Sequence, residues 1–551
     1  MKTHANSPIA VEIPESTISA VVIGLVLAIV MGAANVYLGL YAGMTVSASI
    51  PAAVISMAIM KGIFRRGTIL ENNISQTLAS TGETLAAGAI FTIPALVLSG
   101  AWDTFHYWET TLIIMLGGTL GVVFMVPLRR ALIVDRPDLT YPEGVACSKV
   151  LIAGHEGGAG VKWIGFGLAL GTVFKYLVSS LGLVMATVQG AVAAGRSVFY
   201  IGSDMSLALV SVGYIVNFRV AMQVFAGGVI GWVIAIPLLG GYTGEGSPVE
   251  YADALGKSQV RFLGVGCMLV GGIYSIWSVR TGVLGALAGL RGMSAAGGKA
   301  VARTDRDMSM MSLAVLLMIA VVATAALYDV LIGSLGVAIA ATLIMVAASF
   351  IFAAVATYIC GLVGSSNSPV SGMTICALLM AAGVLMALGV KGESAILATL
   401  GVAGVVCCAT CAAGDMAQDL KTGQLVGSTP KRQQQMQVAS VVVTAFIFAP
   451  VMTLLHQHYG IGDKLRAPQA TLFASLAQGF FGDGHLPWNM VAIGAGIGVA
   501  IITLDILLAR AGSTFRAHIM PVAVGIYLPF SLSVPIFIGG IIRAVVSRTS
   551  D

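Results

Sequence analysis

The sequence predicts an all-α, polytopic integral membrane protein, and three observations support this class. Hydrophobic residues make up 57% of the 551 residues and charged residues only 10%, whereas about a quarter of a soluble protein is charged. Mean hydropathy is +0.94. Apolar stretches of about 20 residues, the length that crosses a bilayer as a helix, recur along the whole chain. Together these observations exclude a soluble globular protein.

Thirteen clear candidate spans and three weaker ones bring the expected total to about 16 transmembrane helices. The clear candidates are residues 18–40, 44–63, 76–99, 110–128, 161–189, 219–240, 258–289, 309–328, 332–363, 369–390, 394–414, 436–456 and 487–509. The weaker candidates are residues 198–218, 466–482 and 519–546. The bilayer is therefore the main solvent of this chain.

Four stretches are too polar or too rich in glycine and proline to span the membrane simply. They are residues 134–160, 361–372, 415–432 and 511–530. Irregular backbone at membrane depth is tolerated only where protein or a watery cavity covers it. Transporters use such broken or re-entrant segments to build a binding site near the middle of the bilayer, so these stretches predict a site of that kind.

Short internal echoes predict that the chain has two pseudo-repeated halves. "YLGLYAG" at 37–43 resembles "YICGLVG" at 358–364, and "QTLASTG" at 76–82 faintly resembles "QDLKTGQ" at 418–424. We therefore divide the chain into an N-terminal tail (1–17), an N-terminal membrane half (18–290), a basic linker (291–308), a C-terminal membrane half (309–546) and a C-terminal tail (547–551).

Lysine and arginine in short loops predict the orientation, because cytoplasmic loops carry an excess of them. Basic residues follow the even-numbered spans, as at Arg65 and Arg129, and they fill the linker; Lys464 and Arg466 are the exception. Both tails are therefore expected in the cytoplasm. No signal peptide precedes the first span, so we expect the plasma membrane, specifically a bacterial inner membrane.

Residues 69–88, "ILENNISQTLASTGETLAAG", combine a polar face with an apolar helix. At 100° per residue, one face of about 140° collects several amides, hydroxyls and a carboxylate, while Glu71 points away from it. A polar face of this kind is costly against lipid. It serves either as hydrogen-bonding contact between helices or as the lining of a substrate path. Its members are Asn72, Asn73, Gln76, Thr77, Ser80, Glu83 and Thr84.

Glu143 follows Tyr141 and Pro142 in "TYPEGVACSK". Proline favours the first turn of a helix, and a helix that begins inside the membrane would direct its N–H groups at an anion or carboxylate. The alternative is a surface loop at the membrane interface.

Two further polar groups have the same pair of interpretations, a functional segment or a simple loop. Residues 365–372, "SSNSPVSG", offer hydrogen bonds without charge and suit a neutral or zwitterionic ligand; they contain Asn367 and Ser371. The second group, in "GDMAQDLKTG", predicts a gate. Its members are Asp415, Gln418 and Asp419.

Motifs of other protein classes are missing from the sequence. A phosphate-binding loop, a zinc-protease motif and a serine-hydrolase motif are not found, so an enzyme or an ATP-driven pump is not expected. The net charge of +5 includes no basic block for nucleic acid. The C-x-x-C within "CCATC" (407–411) lacks a second ligand pair, and we interpret it as helix packing. No metal or cofactor is expected.

Five ordered blocks resemble conserved segments of the oligopeptide transporter (OPT) family, which includes the yellow-stripe-like carriers of metal chelates. The resemblance extends from about residue 16 to 546 and implies about 16 helices and proton-coupled uptake of small peptides or of metal complexes with chelators such as nicotianamine. The blocks are "GAANVYLGLYAGMTVSASIPAAVISM", "ILENNISQTLASTGETLAAGAIFTIPALVLSG", "LTYPEGVACSKVL", "GLVGSSNSPVSGMTI" and "QDLKTGQLVGSTPKRQQ".

The residues and the resemblance together give a functional hypothesis. Substrate would contact the polar face between 72 and 80, together with Tyr141, Glu143, Asn367 and Ser371. Glu71, Glu83 or Glu143 would carry the coupling proton. The expected partners are a small-molecule substrate, protons and the lipid bilayer, and the glycine-rich helices are compatible with a homodimer as well as a monomer. Carriage of metal chelates is the alternative to carriage of peptides, and a passive channel for polar solutes is the more distant one.

Overall fold

The computed structural model describes most of the chain. The described residues are 14–42, 45, 47–65, 67–136, 139–156, 183–216, 218–244, 246–271, 302–365, 368, 370–482, 487–513 and 515–550, with short stretches between 166 and 178 and residues 273, 274 and 277. Asn367, most of candidate span 161–189 and residues 291–301 of the linker therefore lie outside the described residues.

Helices dominate the described part of the chain. They are α1 (Ile18–Ala42), α2 (Ser49–Gly62), α3 (Ile69–Leu98), α4 (Tyr107–Val134), α5 (Pro142–Glu156), α6 (Leu207–Val216), α7 (Phe218–Leu239), α8 (248–271), α9 (Met310–Ile332), α10 (Leu335–Val363), α11 (Val370–Ala387), α12 (Glu393–Val426), α13 (Pro430–Tyr459), α14 (Pro468–Phe481), α15 (Trp488–Arg510), α16 (Ile519–Tyr527) and α17 (Phe530–Ser550). One antiparallel hairpin joins β1 (Thr187–Ala194) to β2 (Ser197–Asp204).

Within the described ranges, eleven helices are long and apolar enough to cross a bilayer. The all-α, polytopic class is therefore confirmed, and the chain is a multi-pass membrane protein. The total of about 16 spans stays a prediction, because several candidate spans fall partly or wholly on residues that the structure does not describe.

Four candidate spans were wrong in detail. The stretches 44–63 and 466–482 contain helices of only 14 residues, α2 and α14, which are too short to cross a bilayer. The stretch 519–546 is broken at Leu528 between α16 and α17. The stretch 198–218 contains β2 and the short helix α6.

The hairpin was missed because its strands are apolar enough to pass for helix. The signal was an alternation with a period of two: Val198 and Tyr200 are buried, whereas Phe199 and Ile201 are exposed. Gly195, at a φ of +62°, makes the tight turn. The hairpin is tied to the end of α1 by the hydroxyl of Tyr41, which donates to Oδ2 of Asp204 at 2.7 Å.

Two antiparallel helices, α3 and α12, form the centre of the bundle. Three contacts show the direction: Asn73 contacts Ser428, Gln76 contacts Asp419 and Gly88 contacts Cys408. Residue numbers therefore rise along α3 as they fall along its partner. The helices α1, α2, α13 and α14 surround α3, and α4, α5, α10 and α11 surround α12. Both central helices are thus shielded from lipid along most of their length, and α3 is buried on every face rather than on its polar face alone.

Glycines allow this close packing. A Cβ atom on Gly82 would overlap the backbone oxygen of Ala28, and one on Gly88 would lie 2.6 Å from the sulfur of Cys408. A Cβ on Gly117 of α4 would meet Cys408 from the other side, also at 2.6 Å. The cysteine-rich segment of α12 therefore packs between glycines of α3 and α4, as small residues do in membrane bundles.

Short helices begin inside the bundle, at the level of the middle of α3. The hydroxyl of Ser49, at the start of α2, donates to that of Ser80 at 3.1 Å, and Gly144, in the first turn of α5, contacts Gln418. At 1.5 Å per residue, α2 and α5 are each about 21–23 Å long, about half the length of α3. The broken segments predicted around 134–160 and 361–372 are therefore present, and a helix does begin at Pro142.

The break expected at 415–432 is wrong for its first twelve residues, because α12 is continuous to Val426. The polar groups there have hydrogen-bond partners on neighbouring helices. Asp419 is contacted by Gln76 of α3 and Gln433 of α13, and Gln418 is contacted by Gly144 of α5. A helix whose polar groups find partners has no need to unwind at membrane depth.

The order of helices in 18–134 repeats in 335–459. In both stretches a long helix is followed by a shorter one and then by two long ones, and α3 and α12 run in opposite directions. This is the arrangement of inverted repeats. The first pair of similar segments, 37–43 and 358–364, lies in both stretches at the end of the first helix. The second pair does not correspond in position: 76–82 lies toward the N-terminus of α3, and 418–424 toward the C-terminus of α12. The division into halves stays a prediction, which this order supports.

Candidate functional site

Three carboxylates converge near the middle of the bundle. Glu83 is the fifteenth of the 30 residues of α3 and is 3% exposed; its Oε2 accepts a hydrogen bond from the backbone N of Ala48, at the start of α2, at 3.3 Å. Asp415 of α12 accepts a hydrogen bond from the hydroxyl of Thr84. Glu143, in the first turn of α5, accepts one from the hydroxyl of Ser365. We call Glu83, Asp415 and Glu143 the acidic cluster.

The members of the acidic cluster are coupled electrostatically. Asp415 and Glu143 both lie within electrostatic range of Glu83, and Ser365 reaches Asp415 as well as Glu143. The described ion pairs of lysine and arginine all lie elsewhere in the fold. Like charges in such a partly buried group repel more than they would in bulk water, and a proton or a bound cation would relieve that repulsion.

The backbone holds the cluster together by close approach. A Cβ on Gly364, where φ is +87°, would lie 2.6 Å from Oε1 of Glu143, so only glycine lets the chain after α10 pass so near this carboxylate. Tyr141 is fully buried: its N donates to the oxygen of Gly361 at 2.9 Å and its hydroxyl to that of Leu132 at 3.2 Å. Tyr141 therefore positions the start of α5 against α10.

A second polar group lies about two turns closer to the N-terminus of α3. Nε2 of Gln76 donates to Oδ1 of Asp419 at 2.5 Å, and Nε2 of Gln437 on α13 lies 3.4 Å from Oδ2. Nε2 of Gln433 donates to the backbone oxygen of Asp419 at 2.9 Å and to the hydroxyl of Thr77 at 3.2 Å. We call Asp419, Gln76, Gln433 and Gln437 the amide group.

The remaining predicted residues lie at helix contacts. Asn72 accepts from Ser56 on α2 at 3.0 Å and donates to the backbone of Thr68, and Asn73 donates to Ser428 at 2.9 Å. Ser371 is buried in the first turn of α11. Asn367 lies outside the described residues. Four residues of the polar face therefore contact α12, α13 or the start of α2: Gln76, Thr77, Glu83 and Thr84. Asn72 instead contacts α2 and helps to pack it against α3.

Glu71 and Gln418 have structural contacts that the sequence did not reveal. Glu71 closes a capping box with Thr68 at the start of α3 and accepts a hydrogen bond from Thr17 at 2.6 Å. Gln418 accepts from the backbone N of Gly144 at 2.8 Å and donates to the oxygen of Cys360 at 2.7 Å, so it joins α5 to α10. We therefore leave Glu71 out of the proton path and treat Gln418 as a positioning residue.

Sequence reasoning missed Ser49, Gln433 and Gln437, and it included Ser365 only as part of the segment 365–372. A signal for the two glutamines was present in "QQQMQ" (433–437), because residues four apart share one helix face. Gln434, on another face, instead donates to Asp307 at 2.6 Å.

Charged residues join several segments of the chain at one end of the bundle. The N-termini of α3 and α13 and the C-terminus of α12 meet there. Glu15, 2% exposed, pairs with Arg303 and accepts from the backbone N of Thr429 at 3.1 Å. Arg129 lies 2.6 Å from Asp307. We call this network the clasp, and it comprises Glu15, Arg129, residues 302–309 and residues 427–434.

Long crossing helices that surround half-helices, with carboxylates at the starts of those half-helices near the middle of the bundle, are typical of a helical membrane transporter. Residues 15–551 match the model of the OPT oligopeptide transporter protein family. The chain belongs to the OPT family, whose members are transporters and not enzymes.

Named relatives fall into two groups. A Haemophilus influenzae protein, provisionally named an oligopeptide transporter, is 34% identical over 552 residues, which cover 93% of this chain and 86% of that protein. The metal-nicotianamine transporter YSL3 of Arabidopsis thaliana is 23% identical over 581 residues, 95% of this chain and 83% of its own. The iron-phytosiderophore transporter YSL15 of Oryza sativa is 28% identical over 303 residues, 48% and 44% of the two chains.

Proposed function

We propose that this protein is a secondary active, proton-coupled importer of small oligopeptides in a bacterial inner membrane. The observation that carries the proposal is the acidic cluster: Glu83, Asp415 and Glu143 lie where the starts of α2 and α5 meet the middle of the two central helices.

A proton and a peptide ammonium group can both neutralise this cluster. A proton on one of the three carboxyl groups removes one of the repelling charges, and the hydroxyls of Thr84 and Ser365 are placed to hydrogen-bond either form. Entry of a proton from outside and its release inside would then bias the direction of transport. Glu83 is our first choice for the proton carrier, since it is the most deeply buried of the three.

Peptides suit the site better than chelates for two reasons. The ammonium group at the N-terminus of a peptide is attracted to an acidic cluster, whereas a metal chelator of the nicotianamine type brings several carboxylates. The relative with higher identity across nearly the whole chain carries an oligopeptide name. Metal chelates are the second candidate, because more distant relatives of nearly full coverage carry metal-nicotianamine names.

We assign the end of the bundle that carries the clasp to the cytoplasmic side. Arg129, near the end of α4, and Arg303 belong to the basic segments that the positive-inside rule assigns to that side, and both form ion pairs at this end of the bundle. Release of substrate inside would require these contacts to open.

The test is uptake into proteoliposomes with an imposed inward proton gradient, with labelled di- to tetrapeptides and an iron–nicotianamine complex offered in parallel. We expect peptides to accumulate only with the gradient, and we expect Glu83→Gln and Asp415→Asn to abolish accumulation. Glu393→Gln, an exposed acid at the start of α12, is the matched control and should transport normally.

Other outcomes decide between the alternatives. Accumulation of iron only with its chelator would move the substrate to the chelate class. Equal entry of either compound with and without the gradient would show a passive channel and overturn the proposal. Full gradient dependence in Glu83→Gln would remove Glu83 from the role of proton carrier.

A further inference from the structure

The amide group contains more buried hydrogen-bond acceptors than its described neighbours can satisfy. Gln76 and Gln433 are 0% exposed and Gln437 is 1% exposed. Within the described residues, the side-chain oxygens of all three lack a hydrogen-bond partner, as does that of Asn73 one turn away. Buried polar atoms are normally paired, so these four unsatisfied amide oxygens require an explanation, above all the two on Gln76 and Gln437, whose amides contact the carboxylate of Asp419.

The geometry points to a bound cation. Gln76 and Gln437 present amide groups to the two carboxylate oxygens of Asp419 from opposite helices, α3 and α13. Ser80 adds its hydroxyl to the same carboxylate. Rotation of each amide by 180° exchanges its NH2 for its oxygen, because the two ends have nearly the same shape. The rotated amides would direct their oxygens at the carboxylate, an arrangement that is stable only with a positive charge between them.

The composition of the group selects a monovalent ion. One carboxylate and neutral amide and hydroxyl oxygens balance a single positive charge, and burial disfavours any excess charge. Groups of three or more His, Cys, Asp or Glu suited to a multivalent metal are not found among the described residues. Secondary transporters likewise coordinate their coupling ions with oxygen ligands supplied by membrane helices.

We propose that Asp419, Gln76, Gln437 and Ser80 form a binding site for an alkali cation, tested with Na⁺. The site is separate from the acidic cluster, although Asp415 and Glu83 lie within electrostatic range of Asp419. A cation at Asp419 would therefore lower the repulsion that the acidic cluster experiences. The use of this cation as a second coupling ion rests on the function proposed above, whereas the existence of the binding site does not.

The test is the thermal stability of the purified full-length protein as NaCl replaces choline chloride at constant ionic strength, with LiCl and KCl as further arms. Wild type should show a saturable rise in Tm with Na⁺, and Asp419→Asn should abolish it. Gln437→Leu keeps the carboxylate of Asp419 but removes one amide, so the Na⁺ concentration that gives half of the rise in Tm should increase at least tenfold. This variant tests the site if Asp419→Asn does not fold. Asp505→Asn is the matched control, because Asp505 is another buried aspartate but pairs with Arg516, so it should keep the full Na⁺ response.

Two results would overturn the site: a Tm that is independent of all three cations, or a Na⁺ response of the same size in Asp419→Asn. If the first of these results is accompanied by a pH dependence of Tm that disappears in Asp419→Asn, the carboxylate binds a proton in place of Na⁺. Uptake driven by a proton gradient in sodium-free choline buffer separates the two proposals, since it tests the acidic cluster whether or not Asp419 binds Na⁺.

Discussion

Gln76 and Asp419 join the two central helices of this protein through a hydrogen bond of 2.5 Å from Nε2 to Oδ1. Both side chains are almost fully buried. The bond therefore connects α3 to α12 at a point where water cannot replace either partner.

Gln76→Leu should lower the free energy of unfolding by about 1.5–3 kcal/mol, the usual contribution of a hydrogen bond to a charged group. Denaturation of the purified protein in detergent measures the change. Gln424→Leu is the control, because Gln424 lies on the exposed side of α12 and the same replacement there should have little effect. Equal stability of wild type and Gln76→Leu would contradict the contact.

Gly88→Ala should destabilise the protein by about 1–3 kcal/mol, since the added methyl group overpacks the contact between α3 and α12. Its Cβ would lie 2.6 Å from the sulfur and 2.7 Å from the Cα of Cys408. Gly383→Ala in α11 meets open space and should be neutral or stabilising by about 0.5–1 kcal/mol, because alanine favours a helix interior. Thermal melts of both variants test the packing; a stable Gly88→Ala would show that the helices lie further apart.

Glu71→Gln should retain proton-driven uptake, whereas Glu83→Gln should lose it. Glutamine can replace glutamate in the capping box with Thr68, and Glu71 has no other role in our proposal. Glu71→Ala should cost about 1 kcal/mol of stability through loss of the cap. Uptake and thermal stability of the three variants, measured side by side, separate the two roles. Loss of gradient dependence in Glu71→Gln would return Glu71 to the proton path.

Arg129→Met should destabilise the clasp by about 2–3 kcal/mol, below the 3–5 kcal/mol of a fully buried pair because Asp307 keeps partial contact with solvent. The side chain of Arg129 is 5% exposed and that of Asp307 28%. The neighbouring pair of Arg130 and Asp135, about 60% exposed on each side, provides the control, and Arg130→Met should change stability by less than about 1 kcal/mol. Similar effects for the two arginines would show that the clasp is exposed to solvent.

Several features could be read from the sequence because their causes are local. The membrane class follows from apolar composition, and the start of α5 follows from the proline at 142. The break after α10 follows from "GSSNSPVSG" (364–372), where small and hydroxyl residues disfavour a continuing helix. The polar face of α3 follows from helical periodicity alone, although the periodicity does not say what the face contacts.

Other features could not be read because partners distant in the chain decide them. Residues 415–426 look too polar for a membrane helix, yet they stay helical because α3, α5 and α13 supply hydrogen-bond partners. Glu71 and Glu83 look alike in sequence, but one caps a helix and the other lies in the acidic cluster.

The sequence by itself determined that this chain folds mainly as helices in a bilayer and that it breaks before Pro142 and after α10, because composition and local residue preferences set the free energy of those segments. Tertiary structure alone decided that Glu83, Asp415 and Glu143 meet, and that Asp419 lies among three glutamines. Those residues are separated by as many as 361 positions in the chain, and only the antiparallel packing of α3 against α12 brings them together.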